Sequence, residues 1–430
     1  MKYSAQHRSW TRNLSSWAAL AALPIAIMFV LMATAQSAQA QTFKVLYSFT
    51  GAADGAEPVA GLAIDRAGNL YGTASIGGSG FDGTVFKLHQ AGSGWMFNVL
   101  YTFEGGDGSL PMAVSFGPDG TLYGTTLNGG TGEGVVFNLK PQASPCKTAL
   151  CPWAETVLYR FKGGTDGEFP FSGAAFDQAG NIYGTTYQGG GNNCQHNGCG
   201  TVYKLTRSDG WAESVLYSFT GGSDGSKPIA GVTLDQTGNL YGTASFAGSL
   251  HYGVVFQLAP SGGGWTENVL YAFEGGSDGA APYAGLILDG LGNLYGASSI
   301  DGSGGGGAAL QLTPSNGSWT FSVLYDFVGG QNYQPSGPAA NLTMDKAGNL
   351  YGATYRGGST NCGGYGCGTV FKLTPSSGGW SYSVLHVFTG TAGDGANPQC
   401  ALVFDQNGKL YGTTASGGAN GVGTVFEITP

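Results

Sequence analysis

Seven times the chain repeats one phrase, Leu or Ile followed by Tyr-Gly, with the tyrosine at Tyr71, Tyr123, Tyr183, Tyr241, Tyr295, Tyr351 and Tyr411. A proline precedes that tyrosine by thirteen residues in six copies (Pro58, Pro170, Pro228, Pro282, Pro338, Pro398) and by twelve in the other, Pro111. A register this tight over units of 52 to 60 residues means one structural unit used seven times, each burying its faces against its neighbours. Within a unit, four short runs alternate apolar and small residues between turn residues. In the first copy they are "AGLAID" (Ala60 to Asp65), "NLYGTA" (Asn69 to Ala74), "GTVFKL" (Gly83 to Leu88) and "FNVLYTF" (Phe97 to Phe103). The period is that of strands, and no run has a helical period. Four strands in each of seven units predict an all-β fold, a seven-bladed β-propeller.

The two ends of the repeat array are complementary. "FKVLYSF" (Phe43 to Phe49) is a fourth strand without the first three, and "GTVFEITP" at the C-terminus is a third strand without a fourth. Together they complete one blade, so the N-terminal strand is expected to close the ring and leave no bare sheet edge. Trp95, Trp153, Trp211, Trp265, Trp319 and Trp380 each stand five residues before the Leu of a "VLY" or "VLH" strand. One residue type recurring at one repeat position points to packing between blades.

Ahead of the array, Lys2, Arg8 and Arg12 give a positive start, Trp17 to Met32 is apolar, and Ala38-Gln39-Ala40 has the small-x-small form of a cleavage site. Residues 1–40 are read as a signal peptide and 41–430 as a single propeller domain, with no membrane span after cleavage. Removing the leader leaves 14 of the 17 basic residues against 26 acidic ones, a net charge of −12. Such a chain, without a basic cluster, is a poor partner for nucleic acid or anionic lipid. The expected location is secreted, periplasmic or at the cell surface, as a monomer.

"GLAIDRAGNLYG" is similar to the NHL-type propeller phrase, with an Asp ending the inner strand at Asp65, Asp177, Asp235, Asp289, Asp345 and Asp405; the second copy departs with Gly117. The complete unit, with "GGxDG", "NLYGTT" and "GTVF", more closely resembles the GloVer tandem repeats of bacterial exported proteins, over essentially all of residues 43–430. That resemblance implies export and a repeat fold, and no particular chemistry.

On a propeller, the loop from the fourth strand to the next blade and the loop from the second strand to the third share one face. Asp-Gly stands in the first of these at Asp54, Asp107, Asp166, Asp224, Asp278 and Asp394, with Asn332-Tyr333 in the remaining copy. A turn in which Asp accepts a backbone hydrogen bond explains a dipeptide that serves every blade alike; the competing reading is a ring of Ca2+ ligands. No other cofactor is expected. Cys146 and Cys151, Cys194 and Cys199, and Cys362 and Cys367 each enclose four residues, and in an exported chain they are read as disulfides. Cys400 replaces the small residue that begins an inner strand and is read as buried.

Residues that break the repeat are the informative ones. Tyr187, His196, His251, Tyr252, Tyr333, Tyr355, Arg356 and Tyr365 fall in the loops of the shared face and are the candidate ligand-binding residues. Aromatic faces cover sugar rings, and guanidinium or amide groups meet hydroxyls and carboxylates. The favoured function is a binding protein for an extracellular glycan or surface protein. The alternatives are a polysaccharide lyase or lactonase-like enzyme on the same face and a structural cell-envelope protein. No Ser-His-Asp or metal-ligand spacing emerges, so no catalytic or metal-binding residue is assigned.

Overall fold

The computed structural model describes residues 41–142, 153–191, 194, 197–329, 337–338, 340–391 and 393–430. The leader, the Cys146/Cys151 pair, His196 and the Asn332-Tyr333 dipeptide lie outside those residues. The strands form seven four-stranded antiparallel sheets. We number the blades in chain order; blade 1 consists of Ala63–Ile64, Leu70–Ala74, Thr84–Ala91 and Gly94–Thr102, from the inner strand outward. Blade 7 takes Val403–Phe404, Leu410–Thr414 and Thr424–Thr429 from the C-terminus and its outer strand, Thr42–Ser48, from the N-terminus. Thr42 pairs with Thr429 and Ser48 with Thr424, so the ring closes as the sequence ends require.

The inner strands are shorter than expected. Six of them are only two residues long, and only blade 2 extends its inner strand, over Ser109–Phe116. Around the axis these segments crowd one another, and a Cβ on Gly61 would lie 2.9 Å from the Ala401 carbonyl of the neighbouring blade. Carbonyls of these segments accept from the preceding blade, as Ser172 does from Thr125 and Ala230 from Thr185.

Each word of the repeated phrase has a mechanical task. The glycine of Leu-Tyr-Gly lies under the Phe of the third strand, and a Cβ on Gly72 would come within 2.6 Å of the Phe86 ring. The tyrosine before it is buried and its hydroxyl donates to the aspartate that ends the inner strand, as in Tyr71 to Asp65 (3.1 Å) and Tyr351 to Asp345 (3.0 Å). In blade 2, where Gly117 replaces that aspartate, Tyr123 turns to Asp119 (2.7 Å), which also receives Arg207 from blade 3 (3.2 Å). The threonine after the glycine stitches the ring: Thr125 donates to the Ser172 carbonyl, Thr185 to that of Ala230, and Thr413 to that of Ala60 across the closing seam. Trp153 of blade 2 packs on Tyr71 of blade 1 with ring centroids 6.0 Å apart, and the other five tryptophans meet a neighbouring blade's tyrosine in the same way. Cys400 is buried, as expected, and donates to the Thr413 carbonyl.

Candidate functional site

The Asp-Gly loops are built as locks. Asp224 is buried and accepts from the Tyr217 hydroxyl (3.0 Å), the Thr220 backbone N–H (2.7 Å) and the Thr220 hydroxyl (2.6 Å). Tyr47 with Asp54, Tyr101 with Asp107, Tyr159 with Asp166 and Tyr271 with Asp278 repeat the pairing, and His386 takes the tyrosine's place against Asp394 (3.1 Å). Burial alone would raise the carboxyl of Asp54, but hydrogen bonds from Thr50 and Tyr47 outweigh it and hold the group below the usual carboxylate range. The turn reading therefore accounts for these carboxylates. Among the described residues, no group of three or more His, Cys, Asp or Glu side chains is placed to hold a metal ion.

Above the locks, the residue before the repeat proline lies in the left-handed region in each blade where it is not glycine: Glu57, Leu110, Phe169, Lys227, Ala281 and Asn397, with φ between 49° and 59°. Such a conformation costs a side-chain-bearing residue on the order of 1 kcal/mol. It persists because each N–H is held by the preceding blade's loop, for example Lys227 by the Cys199 carbonyl (2.7 Å) and Asn397 by that of Cys367 (2.7 Å). The proline that follows seats on the glycine of "GTVF" or "GVVF" in the previous blade, where a Cβ on Gly253 would meet Pro282 at 2.6 Å. The kink turns the next residue toward the ring axis.

That next residue differs in every copy of the repeat: Val59, Met112, Phe171, Ile229, Tyr283, Ala339 and Gln399. Apart from Ala339, these residues line a cavity of about 760 Å³ whose walls come from all seven blades. On one side its mouth is aromatic. Phe171 and Tyr187 of blade 3 meet edge to face (5.4 Å), and Phe246 of blade 4 lies 6.0 Å from Tyr283 of blade 5. Burial raises the phenol of Tyr283, and the neighbouring Tyr187 adds to it. Lys227 stands over the Tyr187 ring (4.7 Å) and donates to the Gly198 carbonyl (3.2 Å). Its ammonium is pulled below the usual lysine range by burial, against the opposing pull of Glu168.

Of the residues expected at a site, Tyr187 belongs to this mouth. Tyr355, Arg356 and Tyr365 form a second group on blade 6, the guanidinium lying 5.8 Å from one ring and 4.9 Å from the other. The Cys362–Cys367 disulfide clamps that loop, and Cys194–Cys199 clamps the corresponding loop of blade 3. His251 and Tyr252 sit on the blade 4 loop; both are exposed, and the Tyr252 ring lies against the backbone at Gly275, where an added Cβ would touch it. Phe171, Lys227 and Phe246 were missed by reasoning from loop tyrosines. Their signal was the variability of positions beside an invariant proline or the Tyr-Gly strand.

Seven closed four-stranded blades define a β-propeller whose variable face surrounds an axial cavity. The chain belongs to the Gloeobacter/Verrucomicrobia repeat family, whose model matches residues 32–197 and again 193–365. No curated protein matches the sequence. Among solved structures, the chain is similar to the extracellular domain assigned to a hybrid two component system of B. thetaiotaomicron, with a TM-score of 0.55 and 11% identity, covering 90% of this chain and 39% of that one. It is also similar to a gluconolactonase from Xanthomonas campestris (TM-score 0.41, 13% identity, 91% of this chain and 90% of that one). A luciferin-regenerating enzyme gives a TM-score of 0.40 at 13% identity, with 91% and 95% covered. At these identities the likeness is one of fold.

Proposed function

We propose that this propeller is an extracytoplasmic binding protein that holds a glycan at the mouth of the axial cavity. The observation that carries the reading is the meeting of Phe171, Tyr187, Phe246 and Tyr283, from three blades, beside a half-buried lysine on a face whose framework is otherwise uniform. Aromatic faces cover the C–H faces of a sugar ring, and the lysine offers donors to its hydroxyls. Tyr355, Arg356 and Tyr365 would extend the same surface over blade 6, held by the Cys362–Cys367 clamp. Two disulfides favour an oxidising compartment, and no helix among the described residues is long and apolar enough to cross a membrane. A ring that closes on itself supports a monomer.

The test is retention of residues 41–430 on a panel of insoluble and immobilised polysaccharides, with the eluate checked for released sugar. Retention on one polymer is expected, weakened at least tenfold by Tyr187→Ala with Tyr283→Ala, with the melting temperature unchanged. Retention on none of them overturns the reading, and released sugar converts it into an enzyme's.

A further inference from the structure

The ring of each "VLY" or "VLH" strand, which locks an Asp-Gly loop at every blade but the fifth, is covered from the next blade by the side chain two residues after the tryptophan column. At four seams the cover is aromatic and stacked. Tyr47 lies on Phe97 with centroids 4.0 Å apart, Tyr271 on Phe321 (3.8 Å) and Tyr325 on Tyr382 (4.3 Å), while His386 lies on Phe43 (3.6 Å). At the other three seams the same position is Glu155, Glu213 or Glu267, in the consecutive blades 2, 3 and 4. Each of these glutamates has one carboxyl oxygen, Oε1, buried without a hydrogen-bond partner. Across the strand pair each is opposed by a leucine, Leu139, Leu205 or Leu258.

The polar groups facing each glutamate are the lock itself: Tyr101 and Asp107 for Glu155, Tyr159 and Asp166 for Glu213, and Tyr217 and Asp224 for Glu267. Tyr203, fully buried, also faces Glu213. The compensating cations are Arg160 for the first and Lys162 for the second, and among the described residues none opposes the third. Two ionised carboxylates facing each other beneath a tyrosine, in surroundings made for an aromatic ring, cannot both be satisfied.

We infer that Glu155, Glu213 and Glu267 keep their protons in mild acid and give them up around neutrality, offering them while held to the facing lock aspartates, so that the seams joining blades 1 to 4 tighten in acid and loosen in base. Burial, and then the facing aspartate, push each glutamate up to about 7. A glutamate raised in the folded state contributes stability below its unfolded value of about 4.3 and loses that contribution as pH climbs through about 7. The Asp166 loop carries Phe171 and the Asp224 loop carries Lys227, so the proton-sensitive seams lie under the aromatic side of the mouth. The inference rests on seam geometry and stands whether or not the mouth takes a glycan.

Thermal unfolding of residues 41–430 between pH 5 and 8 tests it. The melting temperature is expected to fall by roughly 5 °C over that interval. In E155Q/E213Q/E267Q the amide donates to the aspartate at every pH, so the fall should shrink to less than half. A wild-type curve that is flat, or a variant curve parallel to it, overturns the inference. Should the triple variant fail to fold, the wild-type protein labelled with 13C at glutamate carboxyls decides. Three resonances titrating near pH 7 are expected, and all resonances titrating below pH 5.5 would overturn it.

Discussion

The two faces of the ring use the same Tyr–Asp lock and differ in what is built over it. On the hairpin face the turn from inner to second strand is five residues long and keeps Asp first and Gly fourth in six blades, with Asn last in five of them; Asp235 there accepts from the Asn239 backbone and side chain and from the Tyr241 hydroxyl (2.9, 2.8 and 3.1 Å). On the loop face an equally regular lock, Asp224 with Tyr217, lies beneath connections that range from 129–134 in blade 2 to 187–200 in blade 3. Large apolar side chains are left exposed there, Phe81 (81%) and Tyr365 (67%) among them. A uniform position supports the scaffold; variation above an unchanged lock marks surface released from that task.

The largest expected effect breaks the lock on the loop face. Asp224→Ala strands the Tyr217 and Thr220 donors in a buried place and should cost about 3 kcal/mol in denaturant unfolding, whereas the more exposed Asp235→Ala should cost about 2. Equal costs would mean that the two faces are equally essential. The lock aspartates also set an acid limit: Asp54, Asp65, Asp177, Asp235 and Asp394 are held below the ordinary carboxylate range because hydrogen bonds outweigh burial. Groups lowered in the folded state contribute stability above their unfolded value and lose it as pH falls through the folded one, so stability should drop below about pH 4. A melting curve still rising at pH 3 would contradict this.

Next in size is the clamp over the lock. Cys194→Ala with Cys199→Ala should cost about 2 kcal/mol by the loop-entropy argument and leave the β-sheet circular dichroism unchanged. A larger loss, with that spectrum altered, would make the clamped loop part of the scaffold. Smallest is the crown: Phe246→Ser removes an exposed ring and should change stability by less than about 0.5 kcal/mol in thermal unfolding. A loss above 1 kcal/mol would show that the exposed ring supports the fold.

The fold was legible because every strand, turn and seam is written seven times. Leu-Tyr-Gly, the proline before it, the tryptophan column and the complementary ends together leave one architecture, and the tryptophans and the end strands pack where they were placed. The candidate site was legible only in part. Tyr187 and Tyr355 drew attention as loop aromatics, but Phe171 reaches the axial cavity through a left-handed residue before proline, a conformation that X-Pro does not announce. Tyr252, a candidate ligand-binding residue from sequence, lies against the backbone of the next loop.

Local rules act within a blade, so the sequence by itself determined the strands, the locks and the number of units. Which columns converge depends on the ring. Radial packing sets the residue after each proline against the axis and the residue two after each tryptophan against the neighbouring lock. Only the tertiary structure therefore brought Phe171, Lys227 and Tyr283 to one mouth and placed Glu155, Glu213 and Glu267 against aspartates 43 to 48 residues earlier in the chain.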